Sequence, residues 1–89
     1  MIIDIARFGE VLSSRPQGRE SALVTLAYIT QNKTDLIQIN FQNVLVMTPS
    51  WLSEYVQTLK EKGITSVEFL KSDNPSVNSS IEFILPEIN

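Results

Sequence analysis

Hydrophobic positions along this chain switch between a strand-like and a helix-like spacing, and the switches mark its elements. Met1-Ile2-Ile3-Asp4-Ile5 is short, β-branched and apolar, and reads as a strand. Phe8, Val11 and Leu12 follow at helical spacing. They suggest one or two helical turns, with Asp4 as a candidate N-cap and Gly9 as a weak point. Pro16 disfavours helix at Arg15 and is preset for a first turn, and Ser14 with Gln17 fits a capping box. Leu23, Leu26, Ala27 and Thr30 then share a face, with Ala22 and Ile29 beside it. The spacing predicts a helix over about Pro16–Gln31, closed by the polar loop Gln31–Asp35.

Leu36–Phe41 reads as a strand, nearly apolar throughout, as expected where helices cover both faces of a sheet. Val44-Leu45-Val46-Met47 follows too closely to be an independent strand and is expected to cross into the core. Thr48 is a good N-cap and Pro49 a good first helical residue. Leu52, Tyr55, Val56 and Leu59 match the i, i+3, i+4, i+7 template. Lys60 and Lys62 suit the negative end of the helix dipole, and Gly63 is the expected C′ residue. Ser66–Leu70 alternates as a strand. Asn74-Pro75 repeats the cap-then-proline signal, and Val77, Ile81 and Ile84 fit a helical face. Phe83 and Leu85 break that period and keep a strand at Ile81–Leu85 as the competing reading; Pro86 ends either element. The order is strand, helix, strand, helix, strand, helix. It predicts a single α/β domain over residues 1–89, with a mostly parallel or mixed sheet of three to four strands and helices packed on it.

Composition narrows the chemistry. The 89 residues have room for one core, and they include no cysteine and no histidine. Disulfides, thiolate metal sites and cysteine nucleophiles are excluded, and the commonest general base and metal ligand are missing. No two carboxylates are spaced for acid–base work and no glycine-rich phosphate loop is present, so the expectation is no enzyme, no metal and no cofactor. A net charge of −3 speaks against nucleic acid, although Arg7, Arg15 and Arg19 cluster near the start. No run approaches the ~18 apolar residues of a membrane span, and the short, early-charged N-terminus does not read as a signal peptide. A cytoplasmic protein with no membrane partner is the expectation.

In parallel sheets, sites form beyond the carboxyl ends of strands. Those ends here carry Asn40 to Asn43 and Lys71 to Asn74, and the Thr48–Trp51 helix start is expected at the same end. Asn40 and Asn43 also suit simple turns. Ser50 is either a phosphorylation switch near a helix N-terminus or plain turn chemistry. Trp51, beside Tyr55, is either a partner anchor or core. Glu54 binds either a partner's arginine or Arg15. Arg15 and Thr48 are candidate anion contacts, with loop pinning and capping as their structural alternatives.

The segment Ile39-Asn40-Phe41 through Leu70, with its strand, apolar crossing, hydroxyl-bearing turn, helix and next strand, resembles the STAS superfamily (sulfate transporter and anti-sigma factor antagonist domains). Ser14-Arg15, Asn40-Phe41 and Ser50-Trp51-Leu52-Ser53-Glu54 are similar to a STAS-like family of unknown function, over roughly Phe8 to Ile84. Two positions depart from the pattern. Asn40 stands where that family usually has aspartate, and Thr48-Pro49-Ser50-Trp51 replaces the Asp-Ser-Ser-Gly phosphorylation turn, which puts the acceptor at Pro49 or Ser50. The resemblance implies a non-catalytic regulatory module. It would bind a kinase-like ATPase or other regulator through Thr48–Tyr55, with Ser50, Trp51, Glu54 and Tyr55 as contacts. A nucleotide or anion sensor at the helix N-termini is the alternative. A scaffold that self-associates as a homo-oligomer through a sheet edge is a further one.

Overall fold

The computed structural model describes residues 1–32 and 36–88. Strand β1 (Ile2–Asp4) leads through a 3-10 turn at Ile5–Phe8 to a two-residue strand, β2 (Val11–Leu12), and then to helix α1 (Arg15–Asn32). Strand β3 (Leu36–Asn40), strand β4 (Val46–Met47), helix α2 (Pro49–Glu61), strand β5 (Ser66–Phe69) and helix α3 (Pro75–Ile88) follow. The main sheet is parallel in the order β1-β3-β5, and β2 and β4 form a second parallel pair. This is one small α/β fold. Of the polar loop expected at Gln31–Asp35, residues 33–35 lie outside the described set, and helix occupies Gln31 and Asn32.

Capping residues set the helix starts as their chemistry predicts. Ser14 Oγ accepts the Gln17 amide at 3.3 Å, and Thr48 Oγ1 accepts the Trp51 amide at 3.3 Å. Asn74 Oδ1 accepts the amides of Ser76 at 2.8 Å and Val77 at 3.4 Å. At the end of α2, the Gly63 amide reaches the Lys60 carbonyl and the Ile64 amide the Leu59 carbonyl, both at 3.0 Å. With Gly63 at φ +98, this is the C-terminal motif that glycine favours.

Several expectations need correction. The helical turns expected around Phe8–Leu12 are a 3-10 turn ending at Phe8 and then β2, so Val11 and Leu12 belong to a strand. Asp4 makes no side-chain cap and instead accepts the Asn40 amide group at 2.9 Å across the sheet. The Val44–Met47 crossing does contain a strand, because Val46 and Met47 pair in register with Val11 and Leu12. The competing strand at Ile81–Leu85 is helix, and Pro86 lies inside α3 rather than ending it.

The main sheet is covered on one face, not two. Ile3, Ile37 and Ile39 are buried, while Ile2, Asp4 and Leu36 on the opposite face are exposed and Gln38 and Asn40 are half-buried. Strand order runs one way from β1 through β3 to β5, and crossovers of a single hand put their helices on the same side. The open face carries polar cross-strand pairs, with Gln38 donating to Glu68 at 3.2 Å beside the Asn40–Asp4 bond.

Helix α1 turns a different side inward from the one its large residues suggest. Gly18, Ser21, Ala22, Thr25 and Ile29 are buried; Leu23 and Ala27 are exposed and Leu26 is half-buried. The side chain of Thr30 is outside the described set. Small residues on the buried side let α1 lie close against α2. A Cβ built on Gly18 would sit 2.5 Å from the Trp51 carbonyl oxygen.

Candidate functional site

The strand-to-helix turn after β4 is held from two directions. Thr48 Oγ1 donates to the Ser13 carbonyl at 2.8 Å while accepting the Trp51 amide, so its hydroxyl closes the gap between the starts of α1 and α2. From the other side, α3 clasps β4. Ser76 Oγ donates to the Met47 carbonyl and accepts the Met47 amide, both at 2.9 Å, and Ser80 Oγ donates to the same carbonyl at 2.9 Å. Asn74 Nδ2 donates to the carbonyls of Val44 at 2.8 Å and Leu45 at 3.2 Å. Two hydroxyls thus satisfy the backbone groups of Met47 on this short strand, and an amide satisfies the two carbonyls just before it. The cap-then-proline signal found Asn74; nothing in the sequence pointed to Ser76 and Ser80.

Helix α2 lies between α1 and α3, and seven of its thirteen residues are buried. This decides the readings left open at Trp51 and Tyr55. Both are fully buried, so the exposed Trp–Tyr contact pair is corrected to a core pair. Their rings stack with centroids 5.0 Å apart and planes 10° from parallel. Trp51 Nε1 is buried without a hydrogen-bond partner among the described residues. Thr25 gives its hydroxyl proton to the Ser21 carbonyl at 3.0 Å, so the Tyr55 phenol donates to Thr25 Oγ1 at 2.7 Å.

Burial pushes the Tyr55 pKa up to about 12, against the downward pull of the Arg7 charge. A raised folded-state pKa means stability that is present below the unfolded value of 10.0 and lost as pH climbs toward 12. Tyr55 alone contributes a loss on the order of 3 kcal/mol across that window. Urea denaturation of wild type and Tyr55→Phe at pH 9 and pH 11.5 measures it. The stability gap between the two proteins should shift in favour of the variant at the higher pH; parallel losses would show that Tyr55 ionises freely in the fold.

Glu54 is partly exposed and pairs with two arginines of α1, Arg15 at 3.6 Å and Arg19 at 3.8 Å. Arg19 also reaches Glu61 at 3.6 Å. Such loose, solvent-facing pairs contribute about 0–1 kcal/mol each. The intramolecular reading of Glu54 holds, and Arg15 is engaged by a carboxylate. Thr48, the other candidate anion contact, uses its hydroxyl both as donor and as acceptor within the fold. Ser50 is half-buried in the first turn of α2, on the same side as Glu54 one turn further on.

The loops after β3 and β5 meet as expected. Phe41–Val44 and Lys71–Asn74 line a cleft of about 240 Å³. Asn43 takes the left-handed conformation at φ +70 in the turn closed by the Val44 amide on the Phe41 carbonyl. Asn40 Oδ1 accepts the Gln42 amide, so both asparagines do turn work.

The surface between this cleft and the Thr48 turn is apolar. Val11 and Val46, directly paired across β2 and β4, are 57% and 44% exposed, and the adjoining Leu45 is 62% exposed. Their neighbours Leu12 and Met47 point the other way, into the core. Among the described residues no group of His, Cys, Asp and Glu could hold a metal ion, and no helix is long and apolar enough to cross a membrane. No family model, curated protein or solved structure matches this chain.

Proposed function

We propose that this protein is a non-catalytic regulatory interaction module whose partner docks on the β2–β4 surface. The observation that carries this reading is the side-by-side exposure of Val11, Leu45 and Val46 beside the Thr48 turn. Exposed apolar residues that adjoin and are rimmed by polar groups mark interaction sites more often than scattered ones do. Glu10, exposed next to Val11 and bonded through its carbonyl to the Leu45 and Val46 amides, borders this patch. The STAS-like resemblance of the same segment supports a kinase-like ATPase or another regulator of a switch as the partner class. It also keeps Ser50, in the first turn of α2, as the position where a phosphate, adding about two negative charges, would alter docking.

The anion-sensor alternative has less to rest on. The starts of α2 and α3 are capped by their own Thr48 and Asn74 side chains. The cleft of about 240 Å³ is also smaller than the ~300–1,000 Å³ of most sites for molecules of nucleotide or drug size.

The test is capture from the native cell with two baits, wild type and Leu45→Gln/Val46→Thr, which keeps the shape of the patch and removes its apolar character. A partner held by wild type should be depleted about tenfold or more on the variant, while both baits show the same thermal unfolding. Equal recovery on both baits removes this surface from consideration.

A further inference from the structure

Helix α1 carries large apolar residues on its outer side. Leu23, Val24 and Tyr28 are 43%, 52% and 46% exposed, and Ala27 lies exposed among them. No charged residue occurs between Ser21 and Asn32. A surface helix ordinarily turns polar and charged residues outward, whereas here large apolar side chains of α1 face away from its buried side. Charge marks the two ends of the outer patch. Glu20 is exposed one turn before Leu23 and Val24, and at the far end the Arg7 guanidinium lies 5.3 Å from the centre of the Tyr28 ring.

We infer that this face is the interface of a homodimer in which the α1 helices of two copies pack antiparallel across a two-fold axis. The charges favour a second copy over an unlike partner. Eight residues separate Glu20 from Tyr28, about 12 Å along the helix. Reversing one helix against the other therefore sets the Glu20 end of each copy beside the Arg7–Tyr28 end of its mate, twice by symmetry. Between these ends the face is neutral, so two chains of net charge −3 meet there without opposing carboxylates. Val24, midway between Glu20 and Tyr28, lies where the helices cross. This interface is separate from the β2–β4 docking surface and does not depend on it.

Sedimentation equilibrium of the full chain from micromolar to millimolar concentration is the test. Wild type should pass from a 10.0 kDa species to one of twice that mass. Val24→Glu, at an exposed position, should raise the dimer Kd by about tenfold or more while leaving thermal unfolding of the monomer unchanged. The chain has no cysteine, so Val24→Cys supplies one unique thiol at the crossing, and a short bifunctional thiol reagent should link two copies through it. A wild type that stays monomeric throughout overturns the inference, even if the face binds an unlike protein. So does a dimer that Val24→Glu leaves intact, or one that Val24→Cys fails to cross-link.

Discussion

Replacing Gly18 by alanine is expected to destabilise the protein by about 1–3 kcal/mol, the usual cost of forcing extra volume into a packed interior. Helix propensity alone predicts the opposite, since alanine in the interior of a helix is worth about 1 kcal/mol over glycine. Contact decides the sign. The new methyl would lie 2.5 Å from the Trp51 carbonyl oxygen, 3.2 Å from its carbonyl carbon and 3.3 Å from its Cα. These are backbone atoms, and the turn that carries them is held by Thr48 on Ser13 and by α3 on Met47. Separating α1 from α2 is the only relief, and it would disturb the Thr25–Tyr55 hydrogen bond as well. For a domain of this size, each kcal/mol shifts Tm by about 4–8 °C. A thermal melt of Gly18→Ala should therefore show a clear drop. A rise in Tm would mean that α1 and α2 are not packed at this distance.

Trp51→Ala has a still larger expected effect, about 3–5 kcal/mol, because it empties the centre of the core. Against the total stability of about 5–15 kcal/mol typical of a domain, that loss leaves a marginal or unfolded chain. A binding role on an exposed surface would have predicted lost capture with the fold intact. Trp51→Phe separates the two properties of the indole. It keeps an aromatic ring stacked near Tyr55 and removes the buried Nε1–H that has no partner among the described residues. An unpaired buried donor costs about 1–3 kcal/mol, which offsets part of the volume lost on going to phenylalanine. Urea denaturation should place Trp51→Phe close to wild type and Trp51→Ala far below it. A wild-type-like midpoint for Trp51→Ala would show that Trp51 is not core.

The helix ends and the strand–helix alternation were legible in the sequence because their causes are local. Thr48-Pro49, Asn74-Pro75, Ser14 with Gln17, and Gly63 act within one turn of themselves. What could not be read was tertiary. The strands β2 and β4 have two residues each, too few for a period, and each exists only because the other lies alongside. The inner side of α1 is set by how close α2 must come, so Gly18, Ser21 and Thr25 are inside while the larger Leu23 and Val24 are outside. Trp51 sits off the main apolar stripe of α2, yet it is buried because α2 has a helix on either side. The alternation of Gln38 and Asn40 in β3 did carry the signature of a one-faced sheet. The apolar residues between them masked it.

The site followed the same division. Glu54 with Arg15 and the meeting of the two strand-end loops were expected from spacing and fold class. The apolar surface of Val11, Leu45 and Val46 was hidden, because it is assembled from segments more than thirty positions apart.

The paired capture with wild-type and Leu45→Gln/Val46→Thr baits tests the central claim most directly. A regulatory module that docks through β2–β4 predicts at least one protein retained by the wild type and lost from the variant, with both baits folded to the same Tm. The same set of proteins recovered in equal amounts on both baits would contradict it.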